Sequence, residues 1–195
     1  MKLLSFKEFF SEAVGDAVAF TFGRMNPPTI GHGKLIDKVL TVAKKISGTP
    51  IIYPSKTEDD KKNPLPFKMK VKVLKDVYGK IINTDRGIKN PFDALTQLND
   101  KGVSKVVFVV GSDRVEEFTK NMGNHIEKHL ENIKDFSVVS AGDRDPDASD
   151  VSGMSGSKMR SFIQKNKFDD FRKGLLTKSS SLAKKVFSIL QKKQK

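Results

Sequence analysis

The 195-residue chain contains no cysteine and no tryptophan. Without cysteine there can be no disulfide, thiolate metal ligand or cysteine nucleophile, and the redox compartment stays unspecified. No apolar run approaches the roughly 20 residues that a membrane-spanning helix requires. The opening stretch, MKLLSFKEFFSEA, interrupts its apolar residues with Lys7, Glu8 and Glu12, a pattern unlike a secretory signal. Acidic residues are in short supply: 23 Asp and Glu face 36 Lys and Arg, for a formal net charge of +13. Such a surface attracts anions, whether nucleotide, nucleic acid or acidic membrane. The shortage is steepest from Lys173 onward, where lysines recur without one acidic residue. The opposite holds in 143–150, where Asp143, Asp145, Asp147 and Asp150 face Arg144 alone. What remains, 37% hydrophobic and 30% charged, suits one globular domain with its own core.

Three regions are expected along the chain. Residues 1–15 read as a short helical segment, with Ser5 and Glu8 as a capping box and Phe6, Phe9 and Phe10 on one face. Residues 16–175 alternate strand and helix signals. Ala17–Gly23 reads as a strand, and Leu35, Ile36, Val39, Leu40, Ala43 and Ile46 recur at helical spacing up to Gly48. Ile51–Tyr53 is a short strand, Phe67–Tyr78 a helix, Ile81–Asn83 a further strand and Phe92–Leu98 a helix. KVVFVV at 105–110 is the strongest strand, apolar enough to be covered on both faces of a parallel sheet. Phe136–Ser140 is the last strand, and helices run from Ser157 onward. Repeated β–α units predict an α/β fold, a Rossmann-like doubly wound parallel sheet with a C-terminal helical segment. Residues 176–195 read as a basic amphipathic tail, with Leu182, Val186, Ile189 and Leu190 on one side and lysines beside them. That pattern predicts an electrostatic anchor for polyanions that catalysis could do without.

Open α/β sheets bind ligands at the carboxyl ends of their strands, and three polar or glycine-rich segments are expected there. The first is Gly23-Arg-Met-Asn-Pro-Pro-Thr-Ile-Gly-His32. Gly23 lets the chain turn close to an anion, Pro27 and Pro28 stiffen the loop, and Gly31 and His32 open a helix whose free N–H groups favour phosphate. Thr29 can donate a hydroxyl hydrogen bond or cap that helix. The second is Gly111-Ser-Asp113, where Asp113 serves equally well as a helix cap. The third is Met154-Ser-Gly-Ser-Lys-Met-Arg160, in which Ser155, Ser157, Lys158 and Arg160 offer hydroxyls and cations to phosphates. Two other patterns fail their own chemistry. His125 and His129 stand four apart, but Ile126 occupies the place of the glutamate in H-E-x-x-H, which leaves a solvated helix face. Asp143-x-Asp-x-Asp147 lacks the glycine and glutamate of a calcium loop, since Ala148 and Met154 stand there; it reads as an acidic loop near the mouth of the site, with a role in Mg²⁺ or acceptor binding as the alternative, and no dedicated protein metal site is expected.

Together the first and third strings resemble the G-x-F-x-P-x-[HT]-x-G-H and I-S-[SGT]-[ST]-x-x-R signatures of the HxGH nucleotidyltransferase superfamily. Met25 stands for the usual Phe, and Thr29 for the histidine found in many members. The resemblance covers about Val18 to Ile163. Within it, Asn26–His32, Lys61–Leu65, Arg144–Asp147 and Ser155–Arg160 are similar to strings of a phage-encoded subgroup labelled adenylyltransferase-like or cytidylyltransferase-like. The resemblance implies transfer of AMP or CMP from a Mg²⁺-bound NTP to a phosphate-bearing small-molecule acceptor, with release of pyrophosphate. It implies catalytic roles for His32, Thr29 and Arg160. Gly23, Arg24, Met25, Gly31, Gly111, Asp113, Ser155, Ser157 and Lys158 would bind nucleotide, and Lys61, Lys62 and Asn63 would meet the acceptor. Leu4–Ala13 resembles head-targeting segments of large tailed phages, which are cut after a hydrophobic-x-Glu pattern such as Phe10-Ser-Glu12. An amphipathic helix packed on the body fits it equally. On that resemblance the protein would reside in the host cytoplasm or the virion interior. A rival from another class is a non-catalytic nucleotide- or nucleic-acid-binding protein, supported by the net charge and opposed by the lack of an exposed aromatic cluster.

Overall fold

The computed structural model describes residues 15–142 and 154–193. The expectations for the N-terminal helical segment and for the acidic loop 143–150 fall outside the described residues. Four strands form one all-parallel sheet: β1 (Ala17–Gly23), β2 (Thr49–Pro54), β3 (Lys105–Val110) and β4 (Asp135–Ser140), in the order β2-β1-β3-β4. Between and after them lie α1 (Ile30–Lys45), α2 (Phe67–Tyr78), α3 (Pro91–Asp100), α4 (Val115–His129), α5 (Gly156–Gln164), α6 (Phe168–Gly174) and α7 (Ser180–Lys193).

Alternation along the strands sets the two layers. Val18, Phe20, Ile51, Tyr53, Val106, Phe108 and Val110 face α3 and α4, whose Ala94, Leu95, Leu98, Met122 and Ile126 cover them. Ala19, Ile52, Val107 and Val109 point the other way, onto Ile36, Val39 and Ala43 of α1 and Leu74 of α2. Such coverage on both faces explains the near-continuous apolar run of β3. The chain order reverses direction at β1, whose two neighbours are β2 and β3, and that switch point opens a crevice at the carboxyl ends.

Two expectations are corrected. Ile81–Asn83 is no strand: Gly79 leaves α2 at φ 58°, a 3-10 turn follows, and only Ile82 bridges to Ile52 on the sheet edge. Asn83 then turns away by accepting from the Asp85 N–H at 2.7 Å. Nor is the lysine-rich end a free anchor. Leu182, Ala183, Val186, Phe187 and Leu190 of α7 are buried in a third core cluster with Leu65, Val73, Met159, Ile163, Phe171 and Leu175. The amphipathic pattern is real, but its apolar side is core, so α7 is a structural helix. His125 departs in a smaller way from the solvated face: its ring lies edge-on to Phe92, with centroids 5.2 Å apart.

Candidate active site

The loop between β1 and α1 is held from several directions. Thr29 caps α1 in extended geometry, and a capping box joins it to His32: the Thr29 N–H donates to His32 Nδ1 at 3.0 Å, and the His32 N–H donates to Thr29 Oγ1 at 3.4 Å. An N–H pointing at Nδ1 requires a lone pair there, so the neutral ring carries its proton on Nε2. Thr29 is fully buried, and its hydroxyl donates to the Met154 carbonyl at 2.9 Å. The left-handed residue of the loop is Met25, at φ 44° and 1% exposed, rather than Gly23. An apolar side chain anchored in the core offsets what a non-glycine residue loses in that conformation. Asn26 is the hub. Its side chain donates to the Leu65 carbonyl and accepts from the Leu65 N–H, both at 2.9 Å, while its own carbonyl accepts from Arg160.

Opposite this loop, α5 begins at Ser155, whose Oγ accepts from the Lys158 N–H at 3.1 Å. Gly156 follows because nothing larger fits: a Cβ there would lie 2.9 Å from the Asn26 carbonyl oxygen. The close approach brings Arg160 across the loop. Its Nη1 donates to the Asn26 carbonyl at 3.1 Å and the Lys62 carbonyl at 3.2 Å, and its Nη2 donates to Ser157 Oγ at 3.1 Å. Burial and the nearby Arg24 both lower the pKa of this guanidinium, against the opposing effect of Asp59, so two like charges are gathered at this wall.

The third wall is the loop after β2. Asp59 accepts from the N–H groups of Lys61, Lys62 and Asn63 and from the Asn63 side chain, and these bonds, Lys62 foremost, hold its carboxyl down to about 2. The turn thereby fixes Lys62 and Asn63. Beneath it Lys70 of α2 is fully buried and donates to the Ser55 carbonyl, with its pKa pushed down to about 8 by burial against the opposing effect of Glu58. The folded state therefore binds the Lys70 proton less well than the unfolded chain does. Stability should rise as pH climbs from about 8 towards the ordinary lysine value of 10.5, by about 1.4 kcal/mol for each pH unit of that window. Denaturant melts of the wild type and of Lys70→Met across that window should diverge, with the wild type gaining; parallel curves would contradict the burial of a charged amine.

These three walls enclose a pocket of about 280 Å³ lined by Arg24, Met25, Asn26, His32, Lys62, Asn63, Gly156, Ser157 and Arg160. That volume is close to the lower end of small-molecule sites. No described carboxylate lines it. Of the residues expected from sequence, His32, Arg160, Arg24, Met25, Ser157, Lys62 and Asn63 are brought together here. Thr29, Ser155, Lys158, Gly23 and Gly31 are not among the lining residues; Thr29 and Ser155 cap the two helices that flank it. Gly111 and the exposed Asp113 belong to the β3 end and lie outside this pocket, as does the exposed Lys61. Asn26, Gly156 and Lys70 were not picked out from sequence.

Residues 20–162 match the family model described as cytidylyltransferase-like. Curated proteins gave no match. Among solved structures, one described as a nicotinate-nucleotide adenylyltransferase of Vibrio parahaemolyticus superposes with a TM-score of 0.56 at 14% identity, over 87% of this chain and 97% of that one. The nicotinic acid mononucleotide adenylyltransferase of Plasmodium falciparum, complexed with APC, gives 0.57 at 13% identity, over 88% and 94%. At such identities the likeness is one of fold.

Proposed function

Because the chain belongs to the cytidylyltransferase-like family, we propose that it transfers AMP or CMP from an NTP to a phosphate-bearing small-molecule acceptor and releases pyrophosphate. The observation that carries this reading is the pocket itself. Arg24, Lys62, Arg160 and His32 converge on a space flanked by the N-termini of α1 and α5, an arrangement suited to a polyphosphate. An acceptor phosphate oxygen forms a bond to the α-phosphorus as the bond from that phosphorus to its bridging oxygen breaks. Pyrophosphate leaves with the electron pair. No covalent enzyme intermediate is required, so the chain contributes positioning and charge stabilisation.

His32 donates from Nε2 to the α-phosphate, and buried Thr29 acts as a positioning residue by holding that ring and its tautomer. Arg160, Arg24 and Ser157 take the β- and γ-phosphates, with Lys158 and Ser155 supporting the helix N-terminus. Lys62 and Asn63, on the braced turn, face the acceptor side; Lys61, Gly111 and Asp113 extend the site only as ligands outside the pocket. Mg²⁺ would arrive on the NTP, because cations, amides and a hydroxyl line the pocket and leave the metal to phosphate oxygens and water. A panel of four NTPs against nicotinamide mononucleotide, phosphopantetheine, glycerol phosphate and sugar phosphates, read by pyrophosphate release, tests the reaction. Release that needs both substrates supports transfer; NTP binding without release from any pair would make the chain a binder.

Arg160→Lys is expected to weaken NTP binding about tenfold or more despite the retained charge. One ammonium cannot serve two backbone carbonyls, Ser157 and a phosphate together, and it loses the bidentate fork. Titration calorimetry with ATP and CTP measures this, and unchanged affinity would remove Arg160 from the phosphate ligands.

A further inference from the structure

Much of the positive charge of this protein lies in its C-terminal helices, and part of it forms one face with α2. Residues 156–193, which hold α5, α6 and α7, contain eleven Lys and Arg against two Asp, a net of +9 in a chain of +13. With its apolar side buried, α7 shows Lys184, Lys185 and Lys192 to solvent. On α2 the exposed lysines are Lys68, Lys72 and Lys75, again one stripe at helical spacing. Two ties fix these helices side by side and antiparallel. Asp76, near the end of α2, accepts from Thr177 Oγ1 at 2.6 Å and the Lys178 N–H at 3.1 Å just before α7. Lys193, at the far end of α7, pairs with Asp60 at 2.9 Å, a few residues before α2. The acids on this side are thereby engaged: Asp76 and Asp60 in the ties, Asp59 in its turn, and Glu58 with the Phe67 N–H. None of the six stripe lysines forms an ion pair with a described residue.

We propose that this α2–α7 face is a sequence-independent binding surface for a nucleic acid duplex. Fourteen residues of α7 present about 21 Å of helix, against which a duplex sets roughly a dozen phosphate charges. A duplex fits better than a single strand because the face carries no exposed aromatic side chain on which bases could stack; the one large hydrophobic exposed among the described residues is Leu40, on α1. The same absence argues against a membrane, since the apolar side of α7 is already buried in the core and nothing remains to insert. The phosphates of the duplex would meet lysines only, which position a backbone without reading bases. The face ends at the turn of Asp60 and Lys62, one wall of the pocket. Duplex binding would therefore hold the catalytic pocket beside a polynucleotide, whatever the small acceptor is, and it stands independently of the transferase reading.

The test uses the full chain and a fluorescent 24-base-pair duplex of mixed sequence, with anisotropy read between 50 and 200 mM salt. Wild-type affinity should fall about 10²–10³-fold over that range if about five phosphates are engaged. Lys68→Glu, Lys72→Glu, Lys184→Glu and Lys185→Glu combined should weaken binding at least tenfold at 50 mM and flatten the salt slope by about one per lost phosphate contact. A control with the same charge change elsewhere (Lys44→Glu, Lys45→Glu, Lys101→Glu and Lys128→Glu) should lose much less. Melting temperatures confirm that both variants fold, and glutamine replaces glutamate if the first set does not. No duplex binding at 50 mM overturns the proposal, as does an equal loss in the control. Tighter binding to phosphatidylserine vesicles than to duplex overturns it in favour of a membrane.

Discussion

His32→Ala is expected to lower turnover about 100-fold or more, the usual effect of removing one preorganised donor from a developing oxyanion. His32 lines the pocket and its Nδ1 is committed to the Thr29 N–H, so Nε2–H is the ring's donor. The same substitution leaves a buried backbone N–H without its acceptor, at a cost of about 1 kcal/mol, or roughly 2–4 °C in melting temperature for a chain of this size. The two effects separate with a second variant. His32→Glu restores the capping box, because glutamate at this position reaches back to the cap N–H. It also places a negative charge against the phosphates. Its melting temperature should return to near wild type while turnover stays at or below that of alanine. Wild-type turnover in either variant would strike His32 from the phosphate ligands.

Truncation after Thr177 is expected to abolish cooperative folding, and turnover with it. Four large side chains of α7 (Leu182, Val186, Phe187 and Leu190) are each at most 7% exposed. Burying each contributes about 1.5–3 kcal/mol, so their joint loss of roughly 6–12 kcal/mol is comparable to the whole stability of an ordinary domain. The faces uncovered are Met159 and Ile163 of α5 and Phe171 of α6, and α5 is the helix that carries Arg160. The milder Leu190→Ala should cost about 2–5 kcal/mol. Thermal melts and limited proteolysis check both. A truncated protein that melts like the full chain would show that the third cluster is dispensable.

The fold was legible where local pattern and burial agree. Ala17–Gly23, Phe67–Tyr78 and Lys105–Val110 have the bounds expected of them, because their apolar periodicity records which faces the layers cover. The reading failed where one pattern has two physical meanings. An amphipathic lysine-rich helix looks the same from sequence whether its apolar side meets a membrane or a protein core, and only the partners Leu65, Val73 and Met159 decide. The pocket was legible through its two signature strings, which named His32, Arg160 and Ser157, and through Lys61–Leu65, which named Lys62 and Asn63. Long-range backbone bonds were not: that Asn26 clamps Leu65 and receives Arg160 depends on geometry that no spacing encodes. Thr29 shows the limit most plainly, since its hydroxyl could reach solvent by motif and is buried by fold.

The pocket joins residues that the ribosome makes far apart in time. Arg160 reaches Asn26 across 134 positions, and Leu176 donates its N–H to the Pro28 carbonyl at 3.2 Å beside the bridge from Thr29 to Leu175. The four strands are complete by residue 140, so the sheet can form early in synthesis, yet the wall that carries Arg160 is packed only when α7 has emerged. A nascent chain stalled before residue 180 would thus display the loop between β1 and α1 without the packed helix that brings Arg160 to it. The assembled pocket therefore follows the sheet and depends on the packing of α7.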